Sequence, residues 1–232
     1  MAWSYSSIKT FEQCPKKYHH MRVLKDVKDE GSEAMFYGNE VHKAAEECVK
    51  NGTPIPAKFS YMQDILDALI KIEGDKHCEL KLGLRWGPEV HEACGFFDEG
   101  VWWRGIVDLL IVNGDKAWMV DYKTGKNAKY ADTKQLDLLA AATFAHFPKV
   151  QRIKSALAYV VSNEFIRKVH VREDQRQYAG VFTDQLTRLD AAHQTDVWNA
   201  NPTPLCGWCP VTICPHHRKR FVRIIGEGKC HT

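Results

Sequence analysis

The chain has 232 residues, 44% of them hydrophobic and 11% aromatic, enough for one sizeable core or a core with a small appendage. Lys and Arg (32) barely exceed Asp and Glu (29), so the overall charge announces no nucleic-acid partner, and no stretch approaches the ~20 apolar residues of a membrane helix. The opening Met1-Ala-Trp-Ser-Tyr-Ser-Ser has neither the basic region nor the apolar core of a secretory leader, so a cytoplasmic location is expected; thiols stay reduced there, and eight cysteines ask for a metal before a disulfide.

In chain order, residues 4–24 are predicted helical, with Ser6 or Ser7 as N-cap and Pro15 interrupting the helix or opening a second one. This stretch carries Lys16-Lys17-Tyr18-His19-His20, a basic run with aromatic neighbours that suits a phosphate backbone but, alone, reads as solvated surface. Residues 34–50 form an amphipathic helix with Gly52 just past its end. After a loop, 60–76 form another, with Ile65, Leu66, Leu69 and Ile72 on its apolar side. Residues 78–84 and 90–97 read as strands and 101–123 as a hairpin. Residues 131–146 are helical, with Leu136, Leu139, Ala140 and Thr143 along one side; 155–161 and 165–171 are strands, and 174–198 a long helix. From Asn201 the chain is irregular, rich in Pro and Cys, and carries a second basic run, His216-His217-Arg218-Lys219-Arg220. The order predicts a mixed α/β domain built on a central sheet.

The hairpin carries the chemistry. Gly105-Ile-Val-Asp108-Leu-Leu-Ile-Val112 and Lys116-Ala-Trp-Met-Val-Asp121-Tyr-Lys123 are apolar strands, each with one aspartate where a core residue is expected. Buried carboxylates are costly unless paired or bound to metal. A two-residue Asn113-Gly114 loop sets Asp108 opposite Met119, with Asp121 diagonal to it; a four-residue Asn113–Lys116 loop sets Asp108 directly opposite Asp121. Either even loop puts Asp108, Asp121 and Lys123 on one face, because strand side chains alternate. Such a face suits a hard divalent cation, Mg²⁺ or Mn²⁺, and phosphodiester chemistry. Strands this apolar on both faces belong in a sheet covered by helices on both sides.

Three further groups stand out. In Gly38-Asn-Glu-Val-His42-Lys-Ala-Ala-Glu46, positions 38, 42 and 46 share one helix face. Gln135 opens the helix after the Lys123 turn, where a glutamine can hold a water or a phosphate. Cys206-Gly-Trp-Cys209-Pro-Val-Thr-Ile-Cys214 is a C-x2-C-x4-C block that reads as three metal ligands. A fourth ligand, for zinc or for a [4Fe–4S] cluster, would come from Cys14, Cys230, His216 or His217. Cys48, Cys78 and Cys94 read as small buried hydrophobes.

Taken together, these motifs resemble the PD-(D/E)XK nuclease superfamily, and within it the RecB-like exonucleases. Ser6-Ser-Ile-Lys-Thr-Phe-Glu-Gln-Cys14-Pro-Lys-Lys-Tyr18 is similar to the family's opening motif, and Gly38-x-x-x-His42 to its metal-binding histidine helix. Gly105-Ile-Val-Asp108 and Asp121-Tyr-Lys123-Thr-Gly125 are similar to its carboxylate motifs, and Gln135 to the start of Gln-x-x-x-Tyr, whose tyrosine is Leu139 here. The family's first acidic residue finds a counterpart in Glu79, which is not counted in the expected site.

The resemblance implies a restriction-endonuclease-like core in a single domain spanning 1–232, with helical N-terminal residues 1–76, a catalytic core 77–200 and a Cys-rich tail 201–232. It implies His42, Asp108, Asp121 and the Tyr122 carbonyl as ligands of Mg²⁺ or Mn²⁺, with Lys123 and Gln135 completing the catalytic set. In the iron–sulfur branch, which holds the CRISPR-associated adaptation exonucleases and the AddB-type nuclease domains, Cys14 joins Cys206, Cys209 and Cys214 around a [4Fe–4S] cluster; the compact block keeps zinc as the alternative. The implied activity is a DNA exonuclease on single strands or ends, in recombination, repair or processing. The implied setting is a bacterial, archaeal or phage-infected host cytosol, with a partner of recombination or CRISPR type. The rivals are a structure-specific endonuclease of the same fold and a non-catalytic DNA-binding subunit.

Overall fold

A computed structural model describes residues 2–28, 30–87, 91–129 and 131–217. Cys230 and Arg218–Arg220 of the second basic run lie outside them. The chain gathers into two compact units, one of Met1–Tyr5 with Gly31–Asp184 and one of Ser6–Glu30 with Gln185–Thr232. Helices α1 (Tyr5–Gln13), α2 (Pro15–Tyr18), α3 (Glu33–Asn51) and α4 (Gln63–Ile70) precede strands β1 (Asp75–Arg85), β2 (Glu92–Cys94), β3 (Val101–Asn113) and β4 (Lys116–Lys123). Helix α5 (Lys134–His146), β5 (Arg152–Tyr159), β6 (Glu164–Val171), α6 (Gln175–Ala179) and α7 (Thr183–Thr195) follow. The strands form one mixed sheet of order β2-β1-β3-β4-β5-β6, with β4 and β5 parallel and all other pairs antiparallel. Among the described residues, no helix is long and apolar enough to cross a membrane.

Helices cover both faces of the sheet, as the doubly apolar hairpin requires. On one face, Val41, Ala45 and Cys48 of α3 and Ile65 and Leu66 of α4 pack with Leu109, Ile111, Val120 and Tyr122. On the other lies α5, buried without a break from Leu136 to Phe144. An amphipathic stripe underestimates this helix: it crosses from β4 to β5 beneath the α6 segment and has no solvent side over most of its length. Helix α3 begins at the cap Ser32, whose Oγ accepts from Met35 N–H, and stops at Gly52 with φ of 67°.

Two expected helices are shorter than their periodicity suggests. The 60–76 helix is a 3₁₀ turn, Ala57–Met62, followed by α4, and it ends at Ile70. Gly74, at φ of 132°, lies against the Val112 carbonyl and turns the chain into β1. The 174–198 helix is broken by a 3₁₀ turn at Gly180–Phe182, where Phe182 is buried against Trp3 and Tyr5. The basic run near residue 18 is largely structural. Tyr18 is buried and stacks on Trp198, and His20 pairs with Asp26 at 3.1 Å.

Helix α5 is fixed to the sheet by a buried charge network. Asp137 accepts from His170 Nε2 at 2.8 Å and from Lys168 Nζ at 2.8 Å, and His170 Nδ1 meets Ser155 Oγ at 3.3 Å. Burial pushes the Asp137 carboxyl up, but the hydrogen bonds from His170 and Lys168 outweigh it and hold the carboxyl below the usual range. A lowered carboxylate stabilises the fold above its unfolded value, about 3.9, and the benefit disappears as pH falls through the lower folded value. Asp137→Asn should cost about 2–4 kcal/mol at pH 7 by urea unfolding, since a buried pair loses one partner. The gap to the unsubstituted protein should narrow below about pH 4.

Candidate active site

The site forms where β3 and β4 separate. Their ladder runs from Asn113–Lys116 to Leu109–Val120, so the register is that of the longer loop, tightened by one more pair around a Gly114-Asp115 turn. One step further, where Asp108 and Asp121 come opposite, the Tyr122 N–H turns to the Asp108 side chain and donates to Oδ2 at 2.7 Å. A carboxylate thus takes a position that a backbone carbonyl holds elsewhere in the ladder, and a buried N–H stays satisfied.

Helix α3 delivers His42 to this point. Its Nε2 donates to the Tyr122 carbonyl at 3.0 Å, which fixes the tautomer and turns Nδ1 toward Asp108 Oδ2 (3.4 Å) and Glu79 Oε1 (4.0 Å). A ring nitrogen anchored on a backbone carbonyl, with the other facing carboxylates, is the arrangement found around metal-bound histidines. Among the described residues, His42, Glu79 and Asp108 form the one group of three potential ligands whose atoms lie mutually within 4.8 Å.

Helix α5 delivers Gln135. Its Nε2 donates to Asp121 Oδ1 at 2.6 Å and its Oε1 accepts from Lys123 Nζ at 3.0 Å. Lys123 Nζ also lies 2.5 Å from Asp121 Oδ2, which makes no well-aligned hydrogen bond although it is buried. Leu139, four residues on, is buried in the core and offers nothing to a ligand.

Glu79 is the residue that periodicity alone does not show. Its neighbours Cys78 and Leu80 pair with Leu109 and Val107, which sets Glu79 across from Asp108. Its φ is 48°, a backbone conformation that side chains other than glycine rarely adopt in a strand. Strain of this kind collects at functional sites, and here it aims a carboxylate at His42.

The electrostatics describe a site short of positive charge. Burial pushes the Asp121 carboxyl up to about 6, with Lys123 lowering it and Asp108 raising it. Burial, then the Asp108 charge, raises Glu79 as well. Burial pulls His42 down, but its hydrogen bond to Asp108 and the charges of Asp108, Asp121 and Glu79 leave it raised. Three crowded carboxylates served by one lysine and one histidine fit a divalent cation bound through oxygen.

The second unit holds a different cluster. Cys14, Cys206, Cys209 and Cys214 line one cavity of about 240 Å³ together with His216 and His217. The Asn201 N–H donates to Cys14 Sγ at 3.4 Å and the Thr203 N–H to Cys206 Sγ at 3.3 Å. Both ring nitrogens of His217 are buried without a partner among the described residues. The other described cysteines stand apart: Cys48 and Cys94 are buried, and Cys78 lies in β1.

A model of the PD-(D/E)XK nuclease superfamily matches residues 2–215. Among solved structures, SSO0001 is similar in fold, with a TM-score of 0.50 at 11% identity over 94% of this chain and 88% of that one. A protein named "Putative exonuclease" from Eubacterium rectale gives a TM-score of 0.48 at 15% identity, over 89% of this chain and 86% of that one. None of the curated proteins compared with the chain matches it.

The raised Asp121 carboxyl makes a prediction that needs no activity assay. A carboxyl with a folded value near 6 and an unfolded value near 3.9 weakens the fold once pH passes above both, by roughly 3 kcal/mol at most. Asp121→Asn should therefore raise the melting temperature of the metal-free protein at pH 7 by several degrees. The advantage should shrink as pH falls from about 6 toward 4, and on adding Mn²⁺. Differential scanning fluorimetry across pH, with and without metal, reads both.

Proposed function

The chain belongs to the PD-(D/E)XK nuclease superfamily, and we propose that it is a DNA exonuclease that uses Mg²⁺ or Mn²⁺ to hydrolyse phosphodiester bonds in single strands or at ends. The observation that carries this reading is the convergence of Glu79, Asp108, Asp121, Lys123 and His42 where the β3–β4 ladder opens. In our reading Asp108, Asp121 and His42 Nδ1 hold the cation with Glu79 beside them; the Tyr122 carbonyl, expected among the ligands, accepts instead from His42 Nε2 and fixes the imidazole. The bound cation would neutralise phosphate charge and acidify a water. Lys123, tied to Gln135 and Asp121, would orient the water and the scissile phosphate, and Gln135 would keep the pair in place.

We further propose that Cys14, Cys206, Cys209 and Cys214 hold a [4Fe–4S] cluster. The shared cavity supports it, as do backbone N–H groups directed at two of the sulfurs, a common feature around cluster thiolates. Zinc, the alternative, would draw its thiolates to roughly 3.8 Å of one another at a Zn–S length near 2.3 Å. No three of these sulfurs are that close among the described residues. The cluster would act as a staple, closing a loop of about 190 residues in the unfolded chain.

Lys123→Ala or Asp108→Asn should lower metal-dependent cleavage at least about a hundredfold while the protein stays folded. A time course on 5′- and 3′-labelled single- and double-stranded DNA with Mg²⁺ or Mn²⁺ measures it. Near-wild-type cleavage by both variants would remove the assignment, and rapid opening of circular DNA would make the enzyme an endonuclease. Anaerobically purified protein should be brown, and Cys14→Ala should bleach its visible absorbance; colourless protein with one zinc per chain would replace the cluster by a structural zinc.

A further inference from the structure

Beyond Glu79 and Asp108, the β1–β3 pair presents Lys81 and Ile106 to solvent and a half-buried Arg104 further along. Lys81 pairs with Ile106 and Gly83 with Arg104, so this surface starts two residues, or about 7 Å, from the carboxylates. Ile106 is an aliphatic strand residue left 38% exposed. Arg104 lies about 14 Å along β3 from Asp108.

Over this surface stands a tight turn. The Asp98 N–H donates to the Gly95 carbonyl at 3.1 Å, and the Asp98 carboxylate folds back to accept the Gly95 N–H at 2.7 Å. A Cβ at position 95 would lie 2.3 Å from that carboxylate, so any larger residue there would push the Asp98 side chain aside. The two central positions are Phe96 and Phe97, edge to face at 5.0 Å, with Phe97 76% exposed. The Arg104 guanidinium lies 5.5 Å from the Phe96 ring and 5.9 Å from Phe97; the Lys81 ammonium lies 6.0 and 5.9 Å from the same rings. Next along β3, Trp102 meets Trp86, itself 62% exposed, at 5.2 Å.

Exposed aromatic rings cost solvation and give nothing to the core; Phe97 and Trp86 stay exposed, Phe96 and Trp102 are half-buried, and the two long cations lie over the phenylalanine rings. Alternating rings and cations fit a strand whose bases are unstacked and whose phosphates are charged. A duplex hides its base faces and has no use for such rings. We propose that Phe96, Phe97, Trp86 and Trp102, with Lys81 and Arg104, form the track that holds single-stranded DNA as it leads to the carboxylates. The rings stack on bases and the cations hold phosphates. The track rests on the reading of the chain as a DNA nuclease and gives that site its strand preference.

The test is binding of a 5′-fluorescein oligo(dT) 12-mer, and of a blunt duplex of equal length, to metal-free protein. Phe96→Ala/Phe97→Ala should weaken single-strand binding at least about fivefold, the lower end of what one stacked base contributes. Phe97→Trp, in a variant retaining Phe96, should keep wild-type affinity. Lys81→Ala/Arg104→Ala should flatten the salt dependence of log K by about 1.4, two phosphate contacts at about 0.7 each. Tryptophan fluorescence should be quenched by the 12-mer. Single-strand affinity within twofold of wild type in both double variants overturns the track, and so does an equal loss on the blunt duplex. Asp121→Asn cleavage reports on the reactive centre alone: if that variant is dead while the phenylalanine and cation variants bind normally, the centre stands and the track falls.

Discussion

The candidate site depends on one substitution of hydrogen-bond partners. Where β3 and β4 would exchange another pair of backbone bonds, the Asp108 carboxylate takes the Tyr122 N–H. The Tyr122 carbonyl is then free to take the His42 N–H from α3. One peptide unit therefore ties a strand carboxylate and a helix imidazole together, and the sheet can open without leaving a buried donor unpaired. The opening itself makes room for Asp121 to face Gln135 and Lys123 rather than another strand. Without this exchange, separating two apolar strands would expose backbone and gain nothing.

The fold compensates for that local cost elsewhere. Gln135 and Asp137 sit two residues apart on α5, one gripping the site and the other locked into the His170–Lys168 network. The helix is buried from Leu136 to Phe144, so the glutamine starts from a rigid base. The unsatisfied charge is concentrated at the carboxylates. Elsewhere in this unit the buried Asp137 carboxylate is paired by a lysine and a histidine. One carboxylate cluster is left under-compensated while the other is closely paired, and the first is the one a cation would stabilise.

Much of this was legible in the residues. Two aspartates in doubly apolar strands, a lysine two positions on, and an even-length turn sufficed to place Asp108, Asp121 and Lys123 in one neighbourhood. The superfamily was legible from the order of the motifs, and the mixed sheet with helices on both faces from the doubly apolar strands. Glu79 was not legible from pattern, because its role depends on a left-handed φ that breaks strand alternation, and alternation is what a sequence reveals. The ends of the helices near 70 and 180 were hidden for a related reason. Apolar residues continue at helical spacing past both points, while Gly74 and the burial of Phe182 redirect the backbone. The aromatic turn at Gly95–Asp98 reads as strand because its rings alternate with nothing that marks a loop.

The second unit is assembled from segments far apart in the chain, Ser6–Glu30 and Gln185 onward. During synthesis the first of these leaves the ribosome about 150 residues before the second exists. Tyr18 and His19 then have no Trp198 to stack on, and Cys14 has none of the three later cysteines beside it. At a translation rate of about 5–20 residues per second, that interval is on the order of ten seconds or more. The early helices must wait through it with apolar surface uncovered, while the sheet between them can already form. This unit is therefore the last to mature and the most exposed to chaperones and proteases, and it cannot be excised as one continuous segment without losing one of its halves.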